Sequence, residues 1–142
     1  MLRFNSLLFE VLLQLYHNFG TFSASKDTAR RNRDLEKIFP VLNYITENYN
    51  RPIPLSEIAD VAMLQAKYFC RFFKKCMGVT FLEYQNEIRL SRIYDDIINT
   101  DDQISHILER HGFTNYKLFR RMFRERFGCT PTELRNGSLS AS

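Results

Sequence analysis

The segment KYFCRFFKKCMGVT at residues 67–80 returns as KLFRRMFRERFGCT at residues 117–130, with six identities in fourteen positions. The shorter apolar pattern before each copy is repeated as well, 49 residues apart, with Leu55, Ile58 and Ala59 matching Ile104, Ile107 and Leu108. Each copy therefore predicts a short helix, a tight turn, a longer basic helix and a glycine stop. That order of elements is typical of a helix-turn-helix unit, and the sequence predicts two of them.

The longer helix of each copy has an apolar side and a basic side. Its apolar positions recur at helical spacing and are predicted to be core: Phe69, Phe72 and Phe73, then Phe119, Met122 and Phe123. The opposite side presents Lys67, Cys70, Arg71 and Lys74 in the first copy and Tyr116, Lys117, Arg120, Arg121 and Arg124 in the second. Arginine pairs with guanine edges and lysine neutralises phosphates, so this repeated basic side predicts double-stranded DNA as the partner.

The positive charge of the chain is concentrated in these two copies. Residues 63–78 carry four basic side chains and no acidic one, and residues 114–128 carry five basic side chains and one acidic one. The remaining residues hold 11 basic and 15 acidic side chains, so they sum to −4 although the whole chain is +4. A polyanion is therefore expected to bind at the two copies.

Apolar spacing and capping residues predict the elements before the first copy. An apolar helix over residues 2–19 ends at Gly20, and residues 21–34, which lack an apolar period, are predicted to be a linker. The next helix is predicted to begin after Asp34 as N-cap and to end at the RPIP sequence of residues 51–54.

A connecting helix is predicted between the two copies, from a capping box of Thr80 and Glu83 to about Thr100. At 1.5 Å per residue its roughly 20 residues span about 30 Å, close to the 34 Å of one DNA turn. Such a rod would hold both basic helices in successive major grooves. Further caps are expected at Asp101 and Asp102, and at Thr130 with Pro131 and Glu133. The fold class predicted for the whole chain is all-α.

Composition excludes several other classes of protein. The chain has 142 residues and is 44% hydrophobic, which suffices for one ordinary domain with an appendage. No run of about 18 uncharged apolar residues exists, so no membrane span is expected. Three cysteines without a CxxC pair or Cys/His cluster predict neither a disulfide framework nor a metal site, and favour a reducing cytoplasm. No phosphate-cradling glycine loop, nucleophile elbow or catalytic carboxylate pair is present, so neither an enzyme nor a cofactor is expected.

These motifs together resemble those of the AraC/XylS family of bacterial transcription regulators, over residues 35–135. The matching segments are LSEIADVA, YFCRFFKKCMG, EIRLSRI, ISHILERHGFTNYKLFRRMFRERFG and TPTELR, at residues 55–62, 68–78, 87–93, 104–128 and 130–135. The resemblance implies two helix-turn-helix subdomains joined by a central helix. It also implies a transcription regulator that contacts RNA polymerase.

The resemblance also implies roles for particular residues and segments. Base reading falls on the early exposed positions of each basic helix: Lys67, Cys70, Arg71, Tyr116, Lys117, Arg120 and Arg121. For Tyr116, a helix cap or a contact with sugar and phosphate is the alternative. Charge alone assigns Lys74, Lys75 and Arg124 to DNA phosphates. The implied divisions are a remnant of a sensor and dimerisation domain at 1–20, the linker at 21–34, the DNA-binding domain at 35–137 and a tail at 138–142.

Two residues in the turn of the first copy depart from the family pattern, because Met63 and Gln65 stand where glycine and a serine cap are usual. A side chain in a left-handed turn costs about 1 to 2 kcal/mol and glutamine caps poorly, so a looser first unit is expected. Leu108 and Asp96 replace the usual alanine and leucine, which predicts different local packing. Arg89 and Arg92 are expected on the helix surface, where they could contact DNA phosphate or pair with Asp95 and Asp96, and pairing within the chain is favoured.

The apolar helix of residues 2–19 leaves a second function open. Its Leu and Phe stripe predicts self-association, and hence a homodimer. The alternative to a regulator is a truncated interaction module that forms hetero-oligomers through this helix without specific DNA binding.

Overall fold

The computed structural model describes residues 25–137. They form helices alone, without a strand in this range, which confirms the predicted all-α class. In chain order the helices are α1 Ser25–Asn48, α2 Leu55–Val61, α3 Ala66–Met77, α4 Phe81–Asn99, α5 Ile104–Arg110, α6 Tyr116–Phe127 and α7 Pro131–Arg135. The first helix-turn-helix unit is α2 with α3, the second is α5 with α6, and α4 connects them.

The first helix is longer than predicted. It begins at Ser25, so the linker predicted over residues 21–34 is wrong for residues 25–34, which are helical. These residues lack an apolar period, but their Ala, Arg and Lys have good helix propensity, and a helix propagates easily from a packed segment. Asp34 also forms an ion pair with Lys75 of α3, at 3.2 Å. The apolar helix predicted at 2–19 and the tail at 138–142 lie outside the described residues.

The apolar spacing of Leu35, Ile38, Phe39, Leu42, Ile45 and Tyr49 predicts a buried stripe on α1 that includes Phe39. Phe39 is instead 49% exposed, whereas Val41 is fully buried. Ile38, Val41, Leu42 and Ile45 follow the i, i+3, i+4, i+7 spacing of one helix face, and Phe39 lies about 100° away from it. Pro40 lies inside α1 on its exposed side, so the Glu36 carbonyl that lacks a helical N–H donor is on the solvent side of the helix.

Two hydrophobic cores lie along α4, one for each unit. The first packs the predicted Phe69 and Phe73 against α1, α2 and the first half of α4, which contributes Tyr84 and Ile88. The second packs Phe119 and Phe123 against α5 and the second half of α4, which contributes Leu90, Ile93 and Ile97. The connecting helix is therefore a shared wall of both cores.

The helix ends follow the predicted caps with two exceptions. Both capping boxes form, Thr80 with Glu83 and Thr130 with Glu133. Asp34, predicted as an N-cap, lies inside α1, which begins at Ser25. The second exception is α5, whose N-cap is Gln103 without a side-chain hydrogen bond, so Asp101 and Asp102 do not cap it. Asp102 instead accepts a hydrogen bond from Arg110 at 2.7 Å, and this bond lowers the pKa of its carboxyl group.

The loop after α1, residues 49–51, joins the two units. Its Tyr49 and Arg51 carbonyl oxygens accept hydrogen bonds from Arg89, at 2.8 and 3.1 Å. Gln85 donates to the same two carbonyls at 3.2 and 2.8 Å. The prediction of an exposed Arg89 paired with acids is wrong, because Arg89 is 8% exposed and its guanidinium donates to these half-buried carbonyls.

The same loop contacts the turn of the second unit. Tyr49 and His111 stack, and the Tyr49 hydroxyl lies 2.8 Å from His111 Nδ1. His111 Nε2 donates to Asp96 at 2.6 Å, so the carboxylate that replaces the usual family leucine holds this buried imidazole. We call the loop 49–51 with its partners Gln85, Arg89, Asp96, His111 and Gly112 the joint.

Arg92, on α4, has its guanidinium over the ring of Tyr49 at 5.8 Å.

Among the described residues, no helix is both long enough and apolar enough to cross a membrane.

Candidate nucleic-acid interface

Helix α3 separates its core residues from its predicted DNA residues. Phe69 and Phe73 are fully buried. Lys67, Cys70, Arg71 and Lys74 are exposed and spaced i, i+3, i+4, i+7, which puts them on one side of the helix. Lys75 is exposed too, but its ion pair with Asp34 directs it toward α1.

Helix α6 has the same arrangement in the second unit. Phe119 and Phe123 are fully buried, whereas the predicted contact residues Tyr116, Lys117, Arg120, Arg121 and Arg124 are exposed. The Arg120 guanidinium lies 6.0 Å from the Tyr116 ring centroid, a cation–π contact. Thus all ten residues predicted to contact DNA lie on the surface, five in each unit.

A second set of contacts fixes α6 on the connecting helix. Arg126 donates to Glu87 at 3.1 Å, and the Phe127 ring lies 4.6 Å from the Tyr94 ring. The basic side of α6 is therefore held in a defined direction relative to α4.

The two turns have the same hydrogen bonds but different residues. Met63 and Gly112 are the left-handed positions, with φ of 57° and 79°. The Met63 N–H donates to the Asp60 carbonyl at 3.0 Å, and the Gly112 N–H donates to the Glu109 carbonyl at 3.1 Å. The first turn therefore places Met63, with a positive φ, at the position where glycine is usual in the family.

The N-cap of the first basic helix, like its turn, is less favourable than that of the second. Gln65 precedes α3 without a side-chain hydrogen bond. Asn115 precedes α6, and its side chain accepts a hydrogen bond from the Leu118 N–H at 3.0 Å. The looser first unit remains a prediction, with a strained turn and an unused cap as its physical basis.

The three cysteines have different environments. Cys70 is exposed on the basic side of α3, whereas Cys76 and Cys129 are buried. Burial raises the pKa of the Cys76 thiol to about 12 and also raises that of Cys129. In residues 25–137, no three His, Cys, Asp or Glu side chains gather in a cluster that could hold a metal ion.

Three further basic residues lie beside the predicted interface, on α1. Arg30 and Lys37 line a cleft between α1 and α3 that Arg71 also lines, and Arg33 lies next to it. Arg30 and Arg33 were not predicted because they lie in the segment predicted to be a linker, and Lys37, in the predicted helix, forms no cluster without them. Their i, i+3, i+7 spacing could have indicated a shared helix side, but only if the segment had been predicted to be helical.

Two helix-turn-helix units, each with an exposed basic helix and joined by a shared helix, define a bipartite DNA-binding domain. A family model described as a helix-turn-helix domain, of the AraC type, matches residues 58–137. The chain belongs to the AraC family, and it is a DNA-binding transcription regulator of that type.

Relatives of the chain are mostly transcription regulators. It is 28% identical over 121 residues to the bifunctional transcriptional activator/DNA repair enzyme AdaA of Bacillus subtilis (strain 168), which covers 85% of the chain and 57% of AdaA. It is 25% identical over 107 residues to the multiple antibiotic resistance protein MarA of Escherichia coli (strain K12), which covers 75% of the chain and 84% of MarA. The chain thus spans little more than half of AdaA, and the repair activity is named for AdaA alone.

A solved structure has the same fold. The AraC-type transcriptional regulator from Chromobacterium violaceum matches with a TM-score of 0.65 and 25% sequence identity, covering 72% of this chain and 92% of that one.

Proposed function

We propose that α3 and α6 enter successive major grooves on one face of a DNA duplex, so that a single chain reads a bipartite site. The observation that supports this most directly is the matched exposure of two basic helices on either side of α4. At 1.5 Å per residue, the 19 residues of α4 span about 28 Å, which suits a DNA repeat of about 34 Å.

Within each helix we propose a division of labour between bases and phosphates. Lys67, Cys70 and Arg71 read bases from α3, and Tyr116, Lys117, Arg120 and Arg121 read bases from α6. Lys74, Lys75 and Arg124 neutralise phosphates. Lys75 has to exchange its contact with Asp34 for a phosphate oxygen, or share it, when DNA binds.

Family membership supports two further parts of the proposal. As a regulator of the AraC type, the protein contacts RNA polymerase at its promoters, in the bacterial cytoplasm. Self-association through residues 2–19 is a separate prediction. Analytical ultracentrifugation of the full chain tests it, and a monomer at high micromolar concentration would contradict it.

Selection of bound duplexes from a random DNA pool, repeated from about 50 to 200 mM salt, tests the proposed function. We expect an enriched motif of two blocks about one helical turn apart. Steep salt dependence without enrichment would contradict sequence reading and favour the interaction module. A chain that begins at Ser25 keeps every described helix, so specific binding by that variant would separate the two functions.

A further inference from the structure

A cleft lies between the N-terminal half of α1 and the basic helix α3. Arg30, Asp34 and Lys37 line it from α1, and Tyr68, Arg71 and Lys75 line it from α3. Arg33 is on the same side of α1, where Arg30, Arg33, Asp34 and Lys37 surround an adjoining depression. Both walls are helices, so the cleft is built from fixed backbone.

The charge of the cleft is strongly unbalanced. Five basic side chains, Arg30, Arg33, Lys37, Arg71 and Lys75, meet one carboxylate. That carboxylate, Asp34, lies 3.2 Å from Lys75. The remaining cations line the same cleft or the depression beside it, so their like charges repel one another. Binding of an anion here would remove that repulsion.

Arg71 indicates which anion fits the cleft. This residue lines the cleft and also belongs to the predicted base-reading side of α3. A surface that borders a helix lying in the major groove meets the sugar-phosphate backbone at the edge of that groove. The chemistry of the cleft, cationic and open at the surface, is that of phosphate contact.

We infer that the N-terminal half of α1 is part of the DNA-binding surface, with Arg30, Arg33 and Lys37 bound to the phosphate backbone that flanks the groove of α3. This inference rests on the proposed function. From Arg30 to Lys37 the helix rises about 10 Å, comparable to the axial length of about three nucleotides of one DNA strand at 3.4 Å each. The α1 contacts compensate for a first unit whose turn and N-cap are weaker than those of the second.

The salt dependence of DNA binding by the full chain tests this inference. The variant Arg30→Gln/Arg33→Gln/Lys37→Gln keeps helix propensity and removes three charges. We expect the slope of log K against log salt to become shallower by about 2 to 3, on selected and random duplexes alike, since each lost phosphate contact contributes about 0.9.

Arg31→Gln is the matched control for the single variant Lys37→Gln. Each removes one positive charge from α1, but Arg31 lies on the side that carries Leu35 and Ile38, away from the cleft. Lys37→Gln should make the slope shallower by about 1, and Arg31→Gln should leave it near the value of the unmodified chain. Equal changes for both would overturn the inference, because they would report net charge alone.

For Asp34→Asn we predict the opposite change, a higher DNA affinity. Removing the carboxylate frees Lys75 and raises the positive charge of the cleft, so DNA affinity should rise several-fold. Unchanged affinity in this variant, together with an unchanged slope in the triple variant, would exclude α1 from the interface. If the unmodified chain selects a bipartite motif and Arg121→Ala loses it while the α1 variants bind normally, the inference fails and the proposed function stands.

Discussion

At the scale of single residues, Met63 and Gly112 make the two turns unequal. Met63 has a φ of 57° and its side chain is 86% exposed, so packing does not offset its left-handed strain. We predict that Met63→Gly raises the free energy of unfolding by about 1 kcal/mol, the strain relieved less the added entropy of glycine in the unfolded chain. Urea denaturation measures the change.

Gly112 is the control for that prediction. A Cβ atom at Gly112 would overlap the carbonyl oxygen of Asn50 in the joint, in addition to the strain of a φ of 79°. Gly112→Ala should therefore lower the free energy of unfolding by more than about 2 kcal/mol. If Met63→Gly destabilised the protein, the first turn would not be strained.

Thiol chemistry tests the placement of the cysteines. Cys70 is exposed, whereas Cys76 and Cys129 are buried with raised pKa values. We predict that one thiol of the native chain reacts quickly with a maleimide and that all three react after denaturation. Bound DNA should slow the reaction of Cys70 if it faces the groove, and an unchanged rate on saturating specific DNA would remove Cys70 from the interface.

At the scale of elements, α3 and α6 each combine base reading with phosphate binding. We predict that Arg71→Ala and Arg121→Ala each cost about 1 to 3 kcal/mol on the selected duplex and relax the base preference. Lys74→Ala should weaken selected and random duplexes alike and make the salt slope shallower by about 1. Fluorescence anisotropy on both duplexes measures these effects. Equal losses on selected and random DNA for all three variants would refute the division of labour.

The elements also differ in how well the sequence predicts them. Helices α3 and α6 carry local signals, since their apolar period and the glycines Gly78 and Gly128 are visible in the chain itself. The first ten residues of α1 carry no such signal. Their helix extends a segment packed elsewhere and gains an ion pair from Asp34 to Lys75, 41 residues away. Arg30 and Arg33 of α1 were missed for the same reason.

Arg89 was missed because its partners are remote in sequence. Its burial depends on the Tyr49 and Arg51 carbonyls, about 40 residues earlier in the chain. The polar residues Gln85, Arg89, Arg92 and Asp96 nevertheless follow helical spacing along α4, between its apolar positions. This polar stripe could have indicated that backbone carbonyls, and not solvent, lie against this side of α4.

At the scale of the whole molecule, the joint sets how the two units are held together. We predict that Arg89→Met lowers the free energy of unfolding by about 1 to 3 kcal/mol, because two half-buried carbonyls lose a charged donor. Gln85 still bonds both carbonyls, so the fold should persist. With the joint loosened, the variant should tolerate altered spacing between the two DNA blocks better than the unmodified chain.

Ile58→Val is the control for Arg89→Met. Ile58 is fully buried in the first core and lies outside the joint. Its truncation should cost about 0.5 to 1.5 kcal/mol and leave the spacing preference intact. If both variants relaxed the spacing preference equally, loss of stability rather than the joint would be the cause.

One chain is proposed to read two grooves at a distance fixed by α4. Changing the number of base pairs between the two DNA blocks tests this proposal most directly. The measurement is the affinity of the full chain for its selected duplex with 0, 5 or 10 base pairs inserted between the blocks. Five base pairs turn the second block to the opposite face, and ten move it about 34 Å beyond the reach of α4. We predict that both insertions reduce the affinity to that of a duplex with a single block. Affinity equal to that of the parent duplex after the five-base-pair insertion would contradict the claim.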